Sequence, residues 1–208
     1  MRTIIAPAII ANSQEELSNM LGSVKGNASR IMLDVMDGIF VPSKSLDFHF
    51  LLPGGFEYEA HLMVDDPTKY LRKLNPKIEL VSIHYESSSD LKSNIQKFID
   101  AGLRVLIAIN PSSSICSITQ FLDSVEGVLV MAVNPGRYGS PFLSESLEKI
   151  RELRHLKPSM EIEVDGGMNP INAKAAKEAG ATIIASGSYI MKSSNKKAAI
   201  EELIHAVA

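Results

Sequence analysis

The stretch RIMLDVMDGIFVP, residues 30–42, decides how this chain is read. The apolar run Ile31–Leu33 ends at Asp34, and a second carboxylate follows at Asp37. A run this apolar reads as a buried strand, and the two-residue period puts Met32 on the same inward face as Asp34. A strand that delivers a carboxylate at its C-terminal end is what an active site built on a parallel sheet requires.

Working outward, seven more β-rich runs recur along the chain. They are TIIAPAII (3–10), EYEAHLMV (57–64), ELVSIH (79–84), RVLIAIN (104–110), GVLVMAV (127–133), EIEVDGG (161–167) and TIIASGS (182–188). Each is followed by a segment read as helical, and eight units in 208 residues leave about 26 residues for each, enough for a strand, a helix and two short loops. Ser13 and Glu16 have the spacing of a capping box, and Pro67 after Asp65 and Asp66 reads as a first-turn proline. SSSDLKSNIQKFIDAG opens with cap residues and closes at Gly102; NAKAAKEAGA closes in the same way at Gly180. Apolar strands alternating with helices predict a parallel sheet covered by helices, and eight units predict a single α/β domain over residues 1–208, a closed (β/α)8 TIM barrel. The alternative is an open doubly wound sheet, but no glycine-rich dinucleotide fingerprint follows the first run.

Bulk properties narrow the class. The chain is 45% hydrophobic and 22% charged, enough to bury a core, and its net charge of −3 offers no basic field for nucleic acid or an anionic membrane. The one cysteine, Cys116, excludes an intramolecular disulfide and suits a reducing compartment. The opening MRTIIAPAIIANSQEE reads as a strand rather than a signal peptide, because Pro7 breaks its short apolar run and acidic residues follow. No apolar run approaches the roughly 18 residues of a membrane span. The expectation is a cytoplasmic protein.

Polar residues gather at the C-terminal ends of the runs: Asp34, His61, His84, Asn110, Asn134, Asp165 and Ser188. Singly each has a plain explanation; Asp37-Gly38 is a turn signal, and His61 fits a satisfied core histidine. As a set at one end of successive strands they predict an active site. Glycine-rich segments add a ligand class. NPGRYGSPF, DGGMNP and GSYIM follow the sixth, seventh and eighth runs, the last with a short helix opening, and together they predict a phosphate site. Asp34 and Asp165 stand three strands apart around an eight-strand ring. From there two carboxylates can approach a central ligand from different sides, one removing a proton beside a carbonyl and the other returning it on the opposite face.

These motifs resemble the ribulose-phosphate 3-epimerase family. LDVMDGIFVPS and EAHLMVDDP are similar to its second- and third-strand motifs, MAVNPGRYGSPF to its phosphate loop, and VDGGMN and ASGS to its seventh- and eighth-strand motifs. The resemblance implies an isomerase of carbohydrate metabolism, in the pentose phosphate pathway, that interconverts D-ribulose 5-phosphate and D-xylulose 5-phosphate through a 2,3-enediolate, with Asp34 and Asp165 as acid and base. It implies substrate or phosphate contacts at His61, Gly136, Arg137, Tyr138, Gly139, Gly166, Gly167, Gly187 and Ser188. Met36, Met63 and Met131 match methionines that shield the intermediate. Asp34, His61 and Asp165 match three of four ligands to a divalent metal (zinc, manganese or iron), and no organic cofactor is implied.

The departures are specific. Met32 stands where the family has its fourth, histidine ligand, and a thioether is a poor partner for those metals. Ala8 stands where the family has a substrate-contacting serine, and Arg137 and Tyr138 alter the phosphate loop. A six-carbon ketose phosphate such as allulose 6-phosphate, or a non-catalytic phosphosugar-binding barrel, stays open beside the pentose reading. Barrel lyases with an Asp-x-Lys-x-x-Asp signature need a lysine at Met36. The partner expected is a small phosphorylated ketose, and a homo-oligomer is compatible with the sequence.

Overall fold

A computed structural model describes residues 3–136 and 139–208. All eight expected strands form: β1 (Ile4–Ile9), β2 (Arg30–Asp37), β4 (Glu57–Met63), β5 (Ile78–His84), β6 (Arg104–Ile109), β7 (Gly127–Met131), β8 (Glu161–Asp165) and β9 (Ile183–Ser186). They pair in parallel in the order β1-β9-β8-β7-β6-β5-β4-β2, and a β1–β2 pairing through Ala8↔Met32 and Ile9↔Leu33 closes the ring. A two-residue strand, β3 (Lys44–Ser45), adds antiparallel to the end of β2.

Both faces of the strands are buried. Along β2, Ile31, Leu33 and Val35 join the large apolar layer between barrel and helices. Met32 instead packs in the lumen with Ala8, Ala108, Leu129, Met131, Val133 and Ala185. Burying both faces of a central strand is what a parallel sheet wrapped by helices permits, and an eight-stranded barrel has an interior just wide enough for side chains to fill.

The outer ring differs from the expectation of a helix after every strand. Helices α1 (Gln14–Val24), α2 (Leu91–Asp100), α3 (Ser146–Leu156) and α4 (Pro170–Ala179) follow β1, β5, β7 and β8; α5 (Ser188–Met191) and α6 (Lys196–Ala206) follow β9. After β2 no helix forms, after β4 only a 3-10 turn at Pro67–Tyr70, and after β6 only 3-10 turns at Ile115–Ser117 and Thr119–Phe121. The cause is local. Pro53, Gly54 and Gly55 break the first connection, and Pro67 and Pro76 leave too few residues between them in the second. In the third, Ser112–Ser114 offer the backbone competing hydrogen bonds, and Ser114 caps its turn by accepting from the Cys116 N–H.

The caps follow the sequence closely. Ser13 Oγ accepts from the Glu16 N–H at 3.1 Å, while the Glu16 carboxylate reaches back to the Asn12 N–H at 2.7 Å. Gly180, in the left-handed region at φ 118°, ends α4.

Candidate active site

Strand ends deliver the predicted residues to one cleft at the C-terminal mouth of the barrel. Asp34 enters from β2 and Asp165 from β8; Met36, Met63 and Met131 enter from β2, β4 and β7. Gly136, Gly139, Gly166, Gly167, Gly187 and Ser188 line the other side, so three neighbouring loops surround one space. Arg137 and Tyr138 lie outside the described residues. Asn134, expected at a strand end, is exposed. Ala8, Ile10, Val133, Ser140 and Met168 also line the cleft.

Close backbone approach explains the double glycine. A Cβ on Gly166 would stand 2.5 Å from Val133 Cγ2, and one on Gly167 would stand 2.9 Å from Phe142 Cα. Both residues also have positive φ, 113° and 65°. Across the mouth, Ser43 Oγ donates to the Gly136 carbonyl at 2.7 Å and ties the segment after β2 to the glycine-rich loop after β7.

Asp37 takes the plainer of its two readings. Its carboxylate accepts from the Ile39 and Phe40 N–H groups at 2.8 and 3.0 Å and from the Asp65 N–H at 2.7 Å. It therefore fastens the loop after β2 to the loop after β4. Burial opposes its ionisation, but those N–H donors prevail and hold its carboxyl below the usual range.

One oxygen each from Asp34 and Asp165 and one ring nitrogen of His61 all lie within 4.8 Å of one another. Burial first, and then the charge of Asp34, raise the Asp165 carboxyl to about 7. His61 is fully buried beneath the cleft rather than on its lining. Its Nδ1 faces Asp34 Oδ1 at 3.0 Å, and its Nε2 faces Nε2 of His84 at 2.9 Å. Burial disfavours a charged His61 ring, but the hydrogen bond and charge of Asp34, with Asp165 and Glu59, outweigh it and move its pKa up. His84 moves the other way, to about 4, chiefly through burial.

These donors suit a divalent ion in part. Two carboxylates and one imidazole converge, and a hydrogen-bonded ring behind the ligand histidine is the usual support of such a site. Met32, two residues before Asp34 on the same strand face, is fully buried in the lumen, and its thioether is a weak donor to a hard or borderline ion. Asp34, His61 and Asp165 fit a three-ligand site.

The same face of the lumen carries a group that sequence reading passed over. Glu59 and Glu163 are fully buried, and Ser82 donates to Glu59. Arg30 lies below them, 3.5 Å from Glu57 and 3.7 Å from Glu161. Burial first, then the charge and proximity of Glu59, push the Glu163 carboxyl well above the usual range. The signal was present in the period of two: Glu59 precedes His61 as Glu163 precedes Asp165. At the rim, Lys192 Nζ comes within 3.7 Å of where a Gly139 Cβ would sit, a cation beside the glycine-rich loop after β7 that no motif singled out.

The model of the ribulose-phosphate 3 epimerase family matches residues 4–191. The chain belongs to that family. It is 32% identical to ribulose-phosphate 3-epimerase of Bacillus subtilis, covering 96% of this chain and 97% of the relative, and 35% identical to that of Helicobacter pylori, covering 96% and 95%. Membership places it among carbohydrate isomerases, as the motifs imply. Among solved structures, 3-hexulose-6-phosphate synthase from Salmonella typhimurium superposes with a TM-score of 0.73 over 99% of this chain and 98% of its own. At 13% identity that likeness concerns the barrel alone.

Proposed function

We propose that this chain epimerises a ketopentose phosphate at C3, interconverting D-ribulose 5-phosphate and D-xylulose 5-phosphate. The observation that carries the reading is the convergence of Asp34 and Asp165, from strands three apart in the ring, at one cleft ringed by glycine loops. One carboxylate takes the C3 proton, and the electron pair moves to the C2 carbonyl oxygen to give a 2,3-enediolate. The other, as a carboxylic acid, returns a proton to the opposite face of C3. Each turnover leaves the proton on the other aspartate, and exchange with solvent resets the pair. Asp165, raised to about 7, holds a proton for part of the time at neutral pH, as a residue that alternates between acid and base must.

The remaining roles follow from position. The backbone of Gly166, Gly167, Gly187 and Ser188, with Gly136 and Gly139, holds the phosphate, and Lys192 adds charge at the rim. Met36, Met63 and Met131 keep water from the enediolate. A divalent ion held by Asp34, His61 and Asp165 would supply positive charge to the enediolate oxygens.

A six-carbon ketose phosphate is the second reading. Ala8 favours it, because this lining residue gives the cleft a methyl group where the family pattern has a serine hydroxyl. Turnover of D-ribulose 5-phosphate and of allulose 6-phosphate, each with and without added zinc, manganese or iron(II), separates the two. The pentose should be preferred in kcat/KM. Preference for the hexulose would select the second reading, and no turnover of either would leave a binding protein.

A further inference from the structure

The interior holds a hydrogen-bonded line that the acid–base pair does not itself require. From the cleft downward it runs from Asp34 to His61 to His84 to Glu86, with His84 Nδ1 3.3 Å from Glu86 Oε2. Both histidines are fully buried. We propose that Glu86 and His84 are positioning residues: they fix the tautomer and ring orientation of His61, and through it the carboxylate of Asp34. This rests on the reading of Asp34 as one of the two acid–base carboxylates.

The direction of the line is set at its far end. Glu86 Oε1 accepts from the Asn110 N–H at 2.8 Å and from the Ser113 hydroxyl. Lys149 secures that loop, donating to the carbonyl oxygens of Asn110 at 2.9 Å, Pro111 at 2.6 Å and Ser113. A backbone N–H can only donate, so Oε1 is committed, and Oε2 is left to accept from His84. The proton therefore sits on His84 Nδ1, and His84 Nε2 is a bare acceptor. Two imidazole nitrogens 2.9 Å apart need one proton between them, so His61 supplies it from its own Nε2. His61 then turns Nδ1 towards Asp34, free to share a second proton with that carboxylate or to meet a cation.

Glu86→Gln tests this with little change of shape. The carbonyl of the introduced amide must stay with the Asn110 N–H, which puts its NH₂ group against His84 Nδ1. Two donors cannot face each other, so His84 shifts its proton to Nε2, and His61 takes the Nδ1–H tautomer. Long-range ¹⁵N–¹H spectra of the histidine rings read this directly. In the wild type His84 should be protonated at Nδ1 and His61 at Nε2; in the variant both should be reversed. The kcat should fall about 10–100-fold, the range for removing such support, with KM within about twofold because Glu86 is remote from the phosphate loops. A residue that only braced the fold would not reverse tautomers. His84 bearing its proton on Nε2 in the wild type overturns the proposal, and so does a variant with reversed tautomers and undiminished kcat. The wild-type spectrum needs neither a folded variant nor turnover, so failure of the tautomer assignment and failure of the epimerase reading are seen separately.

Discussion

Met32 and Asp34 share the lumen face of β2, the one buried among three alanines, Leu129, Met131 and Val133 and the other opening to the cleft 3.0 Å from His61 Nδ1. A thioether thus lies one layer below a carboxylate that has an imidazole beside it. With three donors rather than four, we expect a divalent ion to bind weakly and to be stripped readily by chelators. Met32→His should tighten binding by at least about tenfold, since it restores a nitrogen donor of the kind zinc and its neighbours prefer. Calorimetric titration of stripped protein measures it. Wild-type protein that keeps one metal per chain through exhaustive chelation would show that Met32 is no obstacle.

Phosphate recognition by backbone donors predicts sensitivity to charge. Gly187→Asp puts a carboxylate where an anion is to bind, and KM should rise at least tenfold, about 1.4 kcal/mol, with smaller change in kcat. Lys192→Ala should raise KM in the same sense and make it less dependent on salt. Steady-state kinetics at two ionic strengths decides both; an unchanged KM in Gly187→Asp removes the site.

Glu163 predicts a slope in stability. Burial and Glu59 keep its proton on in the folded chain, whereas an unfolded glutamate ionises near about 4.3. Above that pH unfolding releases a proton, so stability declines as pH rises until the raised folded pKa is passed. Glu163→Gln stays neutral throughout and should flatten the decline in urea melts between pH 5 and 8, on the order of the range over which linkage acts. A slope identical to wild type would mean that Glu163 is not the group concerned.

Asp37 predicts the opposite sign. Its carboxyl is held low, so its contribution is present above the ordinary aspartate pKa of about 3.9 and is lost as pH falls through the folded value. Asp37→Ala should cost about 1–2 kcal/mol at neutral pH by freeing the Ile39, Phe40 and Asp65 N–H groups. The difference from wild type should shrink in melts at acid pH.

How far the sequence revealed all this depended on range. The barrel strands were legible because a strand buried on both faces has few other readings, and β2 shows it within eight residues. The cleft was legible because glycine loops and carboxylates recur at strand ends. The missing helices were harder: Pro53-Gly54-Gly55 and the Pro67–Pro76 interval were there to be seen, but the count of eight units favoured a helix in each. Of the relay, His84 and Asn110 stood out as strand-end polar residues, but their link through Glu86 was not legible. Glu86 is two residues from His84, yet what commits it is Asn110 and Ser113, more than twenty residues away, and only the closed ring brings those loops together.

The most direct test follows the C3 proton. Wild-type protein, Asp34→Asn and Asp165→Asn are each incubated with D-ribulose 5-phosphate and with D-xylulose 5-phosphate in D₂O, and epimerisation and loss of the C3 proton signal are followed by NMR. Wild type should epimerise with deuterium entering at C3. Each variant should lose about 10²–10⁴-fold in turnover while keeping its circular dichroism, and each should exchange the C3 proton of only one epimer, opposite in the two variants. Exchange of both epimers at equal rates in both variants, or near wild-type turnover in either, would contradict the two-carboxylate account.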